Sequence, residues 1–167
     1  MLAGGVLSTS AAAKPPDKAQ NVQVRGVAEF VIEAEGCTGL LMEPQDDGWG
    51  LDGCLSVLSV DGARLSEGGV YKEYGTEHFD GSIVYSEGGV PDESTRATGT
   101  FDTEYVITSK WAGEPFISDQ FHGRCQHPLT TGTDAFEDAT GRIDFKDTIV
   151  DGIAIEYPFR GHIKLAT

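Results

Sequence analysis

The sequence predicts an all-β protein, built as a single eight-stranded antiparallel up-and-down barrel. Three observations lead to this fold class. Apolar and polar residues alternate in short runs, no segment keeps apolar residues at helical spacing over three turns, and the 22 glycines suit a chain with many turns. The chain has 167 residues, of which 39% are hydrophobic, and this suits one domain with its own core.

The alternating runs define the expected strands in chain order. They lie at 22–34, 53–60, 69–79, 82–86, 97–111, 116–127, 141–149 and 153–165. The repeated words SEGGV at 66–70 and 86–90 predict two tight turns. The stretch MEPQDDGWGLDG, residues 42–53, is predicted to be the longest irregular piece and a lid or rim. A sheet of so many consecutive strands hides its edges by closing on itself, so a barrel is favoured over a sandwich.

The beginning of the chain predicts a boundary. Ala11 and Ala13 fit a cleavage site of the A-x-A type, and the KPP that follows reads as the start of a mature chain, although a basic leading region is missing. We therefore predict a signal-peptide remnant or a disordered tail over residues 1–20 and a β-barrel domain over 21–167. The corresponding location is secreted or periplasmic.

The formal net charge of −15 narrows the choice of partners. Nucleic acids and anionic membranes attract clustered Lys and Arg, so neither is expected to bind. The sequence has no P-loop, dinucleotide fingerprint, G-x-S-x-G or C-x-x-C motif, and no cofactor is predicted. The expected partner is a small apolar ligand, and a homo-oligomer, either a dimer or a trimer, is left open.

The three cysteines, Cys37, Cys54 and Cys125, allow one disulfide. A disulfide is expected if the protein is exported. The favoured bridge joins Cys37 to Cys54 across the mouth of a hairpin, because one strand candidate ends near the first and the next begins near the second. A Cys54–Cys125 bridge is the second choice, and three reduced, buried thiols are the remaining alternative.

Strand alternation places several ionisable side chains on faces that are otherwise apolar and are assigned to the interior. Buried carboxylates are costly unless they are paired or protonated, and a carboxylate in an apolar pocket suits acid–base catalysis. The candidate catalytic residues are Glu73, Glu77, Asp119 and His127. The candidate ligand-binding residues are Tyr71, Phe101, Tyr105, Phe121 and Tyr157. The alternative for each of them is structural pairing or a solvated position at a strand end.

The segment HGRCQH suggests a metal site, but strand parity argues against it. His122 points to the opposite face from Cys125 and His127, so the three cannot share one ion without a bulge. The acidic 46–52 segment lacks the spacing of a calcium loop. No metal is therefore predicted. A direct hydrogen bond between Cys125 and His127 is not expected either, because same-face neighbours on a strand lie about 7 Å apart.

The stretch GTDAFEDATG, residues 132–141, resembles the G-[TS]-G-x-F-x-x-A-x-G element of the allene oxide cyclase and dirigent barrel-like families. Asp134 replaces the middle glycine of that pattern. The matching residues are Gly132, Thr133, Phe136, Ala139 and Gly141. The wider GRCQHPLTTGTDAFEDATGRIDFKD is similar to exported bacterial proteins of unassigned function with this barrel.

The resemblance implies an eight-stranded antiparallel barrel that is often a trimer. It also implies enzymes that guide a cyclisation or coupling of an apolar substrate without metal or cofactor, mainly by enforcing its conformation. The matching element contains no catalytic residue, so the resemblance carries over a fold and not a reaction.

Several functions are compatible with these patterns. The first is an exported barrel that binds a small, largely apolar molecule in its lumen and acts as a cofactor-independent cyclase or isomerase if the inner carboxylates are catalytic. It requires a cavity beside those residues. The second is a non-catalytic extracytoplasmic structural or binding module, which requires a filled barrel and an exposed apolar patch on the outer wall. A calycin-like carrier, with a cavity and no buried ionisable group, is the third.

Overall fold

The structure is a computed structural model that describes residues 20–34, 36–111, 120–146, 148–150 and 153–166. These residues form nine β-strands and one short 3₁₀ helix, Asp134–Phe136. The strands are β1 (Gln20–Ala34), β2 (Cys37–Pro44), β3 (Gly48–Ser66), β4 (Val70–Glu87), β5 (Val90–Trp111), β6 (Gln120–Gly132), β7 (Thr140–Lys146), β8 (Thr148–Val150) and β9 (Ile153–Leu165). The described part of the chain contains no helix with the length and hydrophobicity needed to span a lipid bilayer. The expected tail at 1–20 lies almost wholly outside the described residues.

Eight of the strands pair as a closed ring. The order is β1, β2, β3, β4, β5, β6, β7 and β9, and β9 returns to β1. This last pairing is antiparallel and runs from Gln20 opposite Leu165 to Ala28 opposite Tyr157. The short β8 pairs only with β9 among the described strands. The predicted all-β fold with eight antiparallel strands is confirmed, and the closure gives the sheet an inner and an outer face.

The strand boundaries differ from expectation in several places. No run was expected at β2, β5 begins at residue 90 instead of 97, and β6 ends at residue 132 instead of 127. Residues 42–53 were expected to be irregular, but β2 and β3 occupy them except for the turn at 45–47, so that prediction is wrong. Glycines interrupt the apolar alternation of these strands, which hides them from pattern reading. The runs 69–79 and 82–86 are one continuous strand, β4. The two SEGGV turns are confirmed, at the β3–β4 and β4–β5 connections.

The lower half of the ring is the end at which the 3₁₀ helix lies. It contains a core of buried aromatic side chains. Phe79 of β4 and Phe101 of β5 stack with ring centroids 4.6 Å apart. Phe136 of the 3₁₀ helix packs edge-on against both rings. All three side chains are essentially inaccessible to solvent. The helix between β6 and β7 therefore closes this end of the ring with an apolar side chain.

A disulfide joins the beginning of β2 to β3. It links Cys37 and Cys54, whose Cα atoms are 5.5 Å apart. The favoured pairing is confirmed, and both the Cys54–Cys125 bridge and the fully reduced state are wrong. The bridge closes a segment with a sequence separation of 17, which corresponds to a stabilisation of about 3 kcal/mol if it acts by restricting the unfolded chain.

The glycine at the start of β7 is required twice over by the backbone. Gly141 has a φ of +134°, which L side chains rarely adopt. A Cβ atom there would also lie 2.0 Å from the carbonyl oxygen of His162 on β9. Gly141, the last position of the family-like element, therefore allows β7 to approach β9 closely.

We expect Gly141→Val to destabilise the protein by roughly 4 kcal/mol or more, because backbone strain and a clash with β9 add together. Gly68→Val is the matched control, since Gly68 has a φ of +87° but open space around it. The control should lose only about 1–2 kcal/mol. Chemical denaturation of both variants measures the difference, and equal losses would mean that the clash at Gly141 is relieved without cost.

Candidate functional site

The inner face becomes polar above the aromatic core, toward the upper end of the ring where β3 turns into β4. Glu73 lies there on β4 and is half-buried. The Tyr71 hydroxyl donates a hydrogen bond to one of its carboxylate oxygens, and the Tyr105 hydroxyl donates to the other at 2.9 Å. Tyr71 and Glu73 share a face of β4 because they are two residues apart. Tyr105 reaches them from β5, where it stands opposite Gly75 and its ring occupies the space that a side chain there would fill.

Both phenols of this group ionise only at high pH. The hydrogen bond to Glu73 is the largest cause that raises the pKa of Tyr71 to about 12, with burial and the carboxylate charge adding to it. Burial is the largest cause for Tyr105, whose pKa is also raised, and its hydrogen bond to Glu73 comes next. A phenolate would lie directly against the carboxylate. The two tyrosines therefore remain hydrogen-bond donors to Glu73 at physiological pH.

A second polar group lies deeper in the ring. The Nε2 atom of His127 on β6 is 3.0 Å from a carboxylate oxygen of Glu77 on β4, and these side chains are 1% and 6% exposed. The Thr103 hydroxyl donates to the same oxygen at 3.5 Å. The Sγ atom of Cys125 is 3.1 Å from His127 Nε2. The expectation that Cys125 and His127 would not meet is wrong, because their side chains lean together although their backbone positions are two residues apart.

The His127 ring is held by aromatic neighbours. Its centroid is 4.7 Å from that of Phe145, in an edge-on arrangement, and 6.2 Å from that of Tyr105, nearly parallel. The other ring nitrogen, Nδ1, is buried and has no hydrogen-bond partner among the described residues. Since Glu77 and Cys125 both approach Nε2, the imidazole cannot relay a proton between them through its two nitrogens as in a Ser-His-Asp triad. The arrangement suits a proton held between a carboxylate and an imidazole.

Apolar side chains form an exposed rim on the inner face at the upper end. The strand register places four of them on the inner face, because Phe30 pairs with Leu40, Val57 with Glu77, Val60 with Gly75 and Leu65 with Tyr71. Ile32 follows Phe30 on β1, beyond the regular part of the β1–β2 pairing. The described pairing of β2 with β3 ends at Leu55, so β3 has no described strand partner on its β2 side beyond that point. The apolar rim consists of Phe30, Ile32, Val57, Val60 and Leu65, which are 48–76% exposed. Its β3 residues stand beside Tyr71 and Glu73, so the polar group lies at the foot of an apolar surface.

The structure brings most of the sequence-predicted site residues into these two groups. Tyr71, Glu73 and Tyr105 form the first, and Glu77 and His127 belong to the second. A carboxylate in each group was expected from strand parity, and both side chains lie inside the ring. These burial observations are compatible with the predicted catalytic or ligand-binding roles, which stay predictions.

Other predicted residues lie elsewhere. Phe101 belongs to the aromatic core of the lower half. Tyr157, half-buried near the beginning of β9, packs against the core. Asp119 lies outside the described residues, and of Phe121 only the backbone in β6 is described.

Three residues of the two groups were not among the predicted site residues. They are Thr103 and Cys125 in the deeper group and Trp111, which packs edge-on against Tyr71 at 6.0 Å. Parity alone could have found them, since each lies an even number of residues from Tyr105 or His127 on the same strand. No group of three or more His, Cys, Asp or Glu side chains among the described residues is arranged to hold a metal ion.

Comparison with known proteins does not assign the chain to a family. No protein family matches it, and neither the curated proteins nor the solved structures include a match. A function is therefore inferred from the geometry of the two polar groups and the apolar rim.

We expect an ultraviolet titration of phenolate formation to show one tyrosine, absent in Tyr71→Phe, that ionises near pH 12 instead of near pH 10. Because the folded protein keeps a proton that the unfolded chain loses, this group stabilises the fold fully below pH 10, and the contribution is lost as the pH rises from 10 toward 12. Glu73→Gln should move the ionisation back toward pH 10, whereas Glu104→Gln, on the exposed outer face, should not. Ionisation of Tyr71 near pH 10 in the unaltered protein would contradict the hydrogen-bonded arrangement.

Proposed function

We propose that this protein is an exported, allene oxide cyclase-like up-and-down β-barrel that binds a small, largely apolar molecule at its upper end. The closed ring of eight antiparallel strands supports the barrel that the family-like element implies. The disulfide supports export, because disulfides persist in oxidising compartments. The observation that carries the proposal is the hydrogen-bonded group of Tyr71, Glu73 and Tyr105 at the foot of the apolar rim. The two cavities at the lower end have none of Glu73, Glu77 and His127 in their walls, so the ligand is placed on the exposed rim and not in a closed lumen.

The rim supplies the apolar part of the binding surface. Soluble monomers rarely leave a contiguous apolar surface exposed without a function, and small-molecule sites are mostly apolar with a few placed polar groups. Phe30 and Ile32 line it from β1, and Val57, Val60 and Leu65 line it from β3. A ligand seated there would cover side chains that water otherwise contacts, and this burial would provide most of the affinity.

The group of Tyr71, Glu73 and Tyr105 determines which polar atoms of a ligand can bind beside the rim. Both oxygens of the Glu73 carboxylate already accept a hydrogen bond from a phenol. The phenol and carboxylate oxygens still have lone pairs that can accept a hydrogen bond from a ligand, and they lie beside a negative charge. A hydroxyl or an amine can donate to these lone pairs, whereas a ligand carboxylate would be repelled. The ligand is therefore an apolar alcohol or amine rather than a fatty acid.

The test compares two ligands with one carbon skeleton, decanol and decanoate, in competition with an apolar fluorescent probe. We expect decanol to displace the probe at about tenfold lower concentration, because only the acid places a second charge beside Glu73. Glu73→Gln should remove the preference for the alcohol, and the outer-face variant Glu104→Gln should keep it. Equal displacement by both ligands would refute the donor specificity, and displacement by neither would refute binding at the rim.

A second candidate function is proton transfer on the bound molecule, as in a cofactor-independent isomerase or cyclase. The buried pair of Glu77 and His127, with its unpartnered Nδ1 atom, favours it. A carboxylate and an imidazole that share a proton in an apolar surrounding are suited to exchange it with a substrate. Asp119, the other carboxylate predicted for this role, stays a prediction.

We expect Glu77→Gln to change the affinity for decanol while the circular dichroism spectrum stays unchanged. The reason is that the amide cannot form an ion pair with His127. Asp102→Asn is the matched control, because Asp102 also pairs with a histidine, His78 at 2.6 Å, but on the outer face. A Glu77→Gln variant that binds decanol as tightly as the unaltered protein would exclude Glu77 from the site.

A non-catalytic structural module is the alternative, and the outer wall provides its supporting observation. Tyr74 and Val106 are cross-strand neighbours on the outer face and are 54% and 47% exposed. An apolar pair of this kind suits contact with another protein or assembly into a dimer or a trimer. Native mass spectrometry of the protein from its own host separates the two, since it reports oligomeric state and any retained small molecule together.

A further inference from the structure

A small cavity lies outside the ring at its lower end, away from the apolar rim. Its volume is about 250 Å³. It is formed where the turn between β2 and β3 meets the turn between β4 and β5. The residues that line it are Glu43, Pro44, Gln45, Asp46, Asp52, Ser86, Gly89 and Pro91.

Two hydrogen bonds between the turns hold the walls of this cavity in place. The amide of Gly89 donates to the carbonyl oxygen of Asp46 at 3.0 Å. The amide of Gly88 donates to a carboxylate oxygen of Asp47 at 2.8 Å. The cavity is therefore a feature of the folded backbone and not a gap between loose side chains.

A buried hydroxyl without a partner belongs to the wall. Ser86 is 2% exposed, and its Oγ atom has no hydrogen-bond partner among the described residues. By strand alternation Ser86 shares the outer face of β4 with Ser82, whose hydroxyl accepts a hydrogen bond from Arg96. Buried hydroxyls in native proteins nearly always have a partner. The Oγ atom itself is closed to solvent, so a group that enters the cavity would provide a partner once the wall beside Ser86 moves to admit it.

The charge of the wall indicates what that group is. Asp52 is already paired with the Arg96 guanidinium at 2.6 Å. Glu43 and Asp46 form no ion pair among the described residues. Arg25 lines the adjoining cavity together with Glu43 and Asp46 but forms no ion pair with either in the described part of the chain. The cavity thus combines two carboxylates without a direct ion-pair partner with a hydroxyl that can accept a hydrogen bond, and a cation that carries N–H groups meets these requirements together.

We propose that this cavity is a binding site for a primary ammonium group, held by the Ser86 hydroxyl and by the carboxylates of Glu43 and Asp46. The site is independent of the ligand proposed for the apolar rim. A free amine and a lysine side chain of a partner protein present the same chemistry. A quaternary ammonium of similar size has the charge but no N–H group, and it cannot satisfy Ser86.

The experiment measures binding of ethylammonium and tetramethylammonium to the full chain by NMR titration. We expect ethylammonium to bind about tenfold more tightly, because only it donates hydrogen bonds. Ser86→Ala should abolish that preference. Since the hydroxyl has no partner in the free protein, this variant should melt at the same temperature as the unaltered protein or above it. Equal affinities for the two ions, or an unchanged preference in Ser86→Ala, would overturn the proposal.

Charge variants separate the site from general attraction to an acidic protein. Glu43→Gln and Asp46→Asn should each weaken ethylammonium binding several-fold, whereas Glu104→Gln removes the same charge elsewhere and should leave it unchanged. Equal weakening by all three would overturn the proposal. Tighter binding of calcium that competes with ethylammonium would assign the site to a metal instead. A final comparison identifies the source of the ammonium group. Tighter binding of cadaverine would indicate a free amine, and tighter binding of N-acetyl-lysine-methylamide would indicate a lysine of a partner protein.

Discussion

The pairing of β9 with β1 is the constraint on which the rest of the structure depends. It runs along β1 from Gln20 to Ala28 and turns a row of strands into a ring. Once the ring is closed, each strand has one enclosed and one solvent-facing side, and the alternation of its side chains becomes a choice between core and surface. A slip of one residue in this register would exchange the two sides of β1, so the buried Val22 and Val24 tie the register to the core.

The interior divides into two halves with different chemistry. The lower half is apolar and is closed by Phe136, whereas the upper half contains carboxylates, phenols and an imidazole. Among the described residues, Glu73, Glu77 and His127 are each paired there, which offsets the cost of removing them from water. Glu73 is satisfied by two tyrosines, and Glu77 by His127 and Thr103. Such pairing explains how the ring tolerates a polar interior.

The unequal lengths of the strands create both proposed sites. β3 and β4 extend upward past the end of the β2 pairing, and the β3 residues of the apolar rim lie on this stretch. At the lower end the β2–β3 turn lies against the β4–β5 turn and encloses the cavity beside Ser86. The two surfaces differ in character because one is made of inward side chains of long strands and the other of acidic turn residues.

Much of the fold could be read from the sequence because alternation is a local property. The inward positions of Tyr105, Ile143 and Phe145 follow from counting residues along one strand, and the two SEGGV turns follow from their glycines. The same counting failed at 42–53, where the glycines of β2 and β3 interrupt the pattern. Their strand character depends on partners in β1 and β4 that the local sequence does not reveal.

The sequence predicted several residues of the candidate site, but it did not predict which of them contact each other. Parity alone put Glu73, Glu77 and His127 on inner faces. Which of them pair with each other depends on the register between strands, which brings Tyr105 to Glu73 and leads His127 to Glu77. The sequence by itself therefore determined the fold class, the inward faces and the favoured disulfide, because these follow from local periodicity and chain proximity. Only the tertiary structure decided the hydrogen-bonded groups, the contact of Cys125 with His127 and the exposed rim, because these depend on strands that meet across the ring.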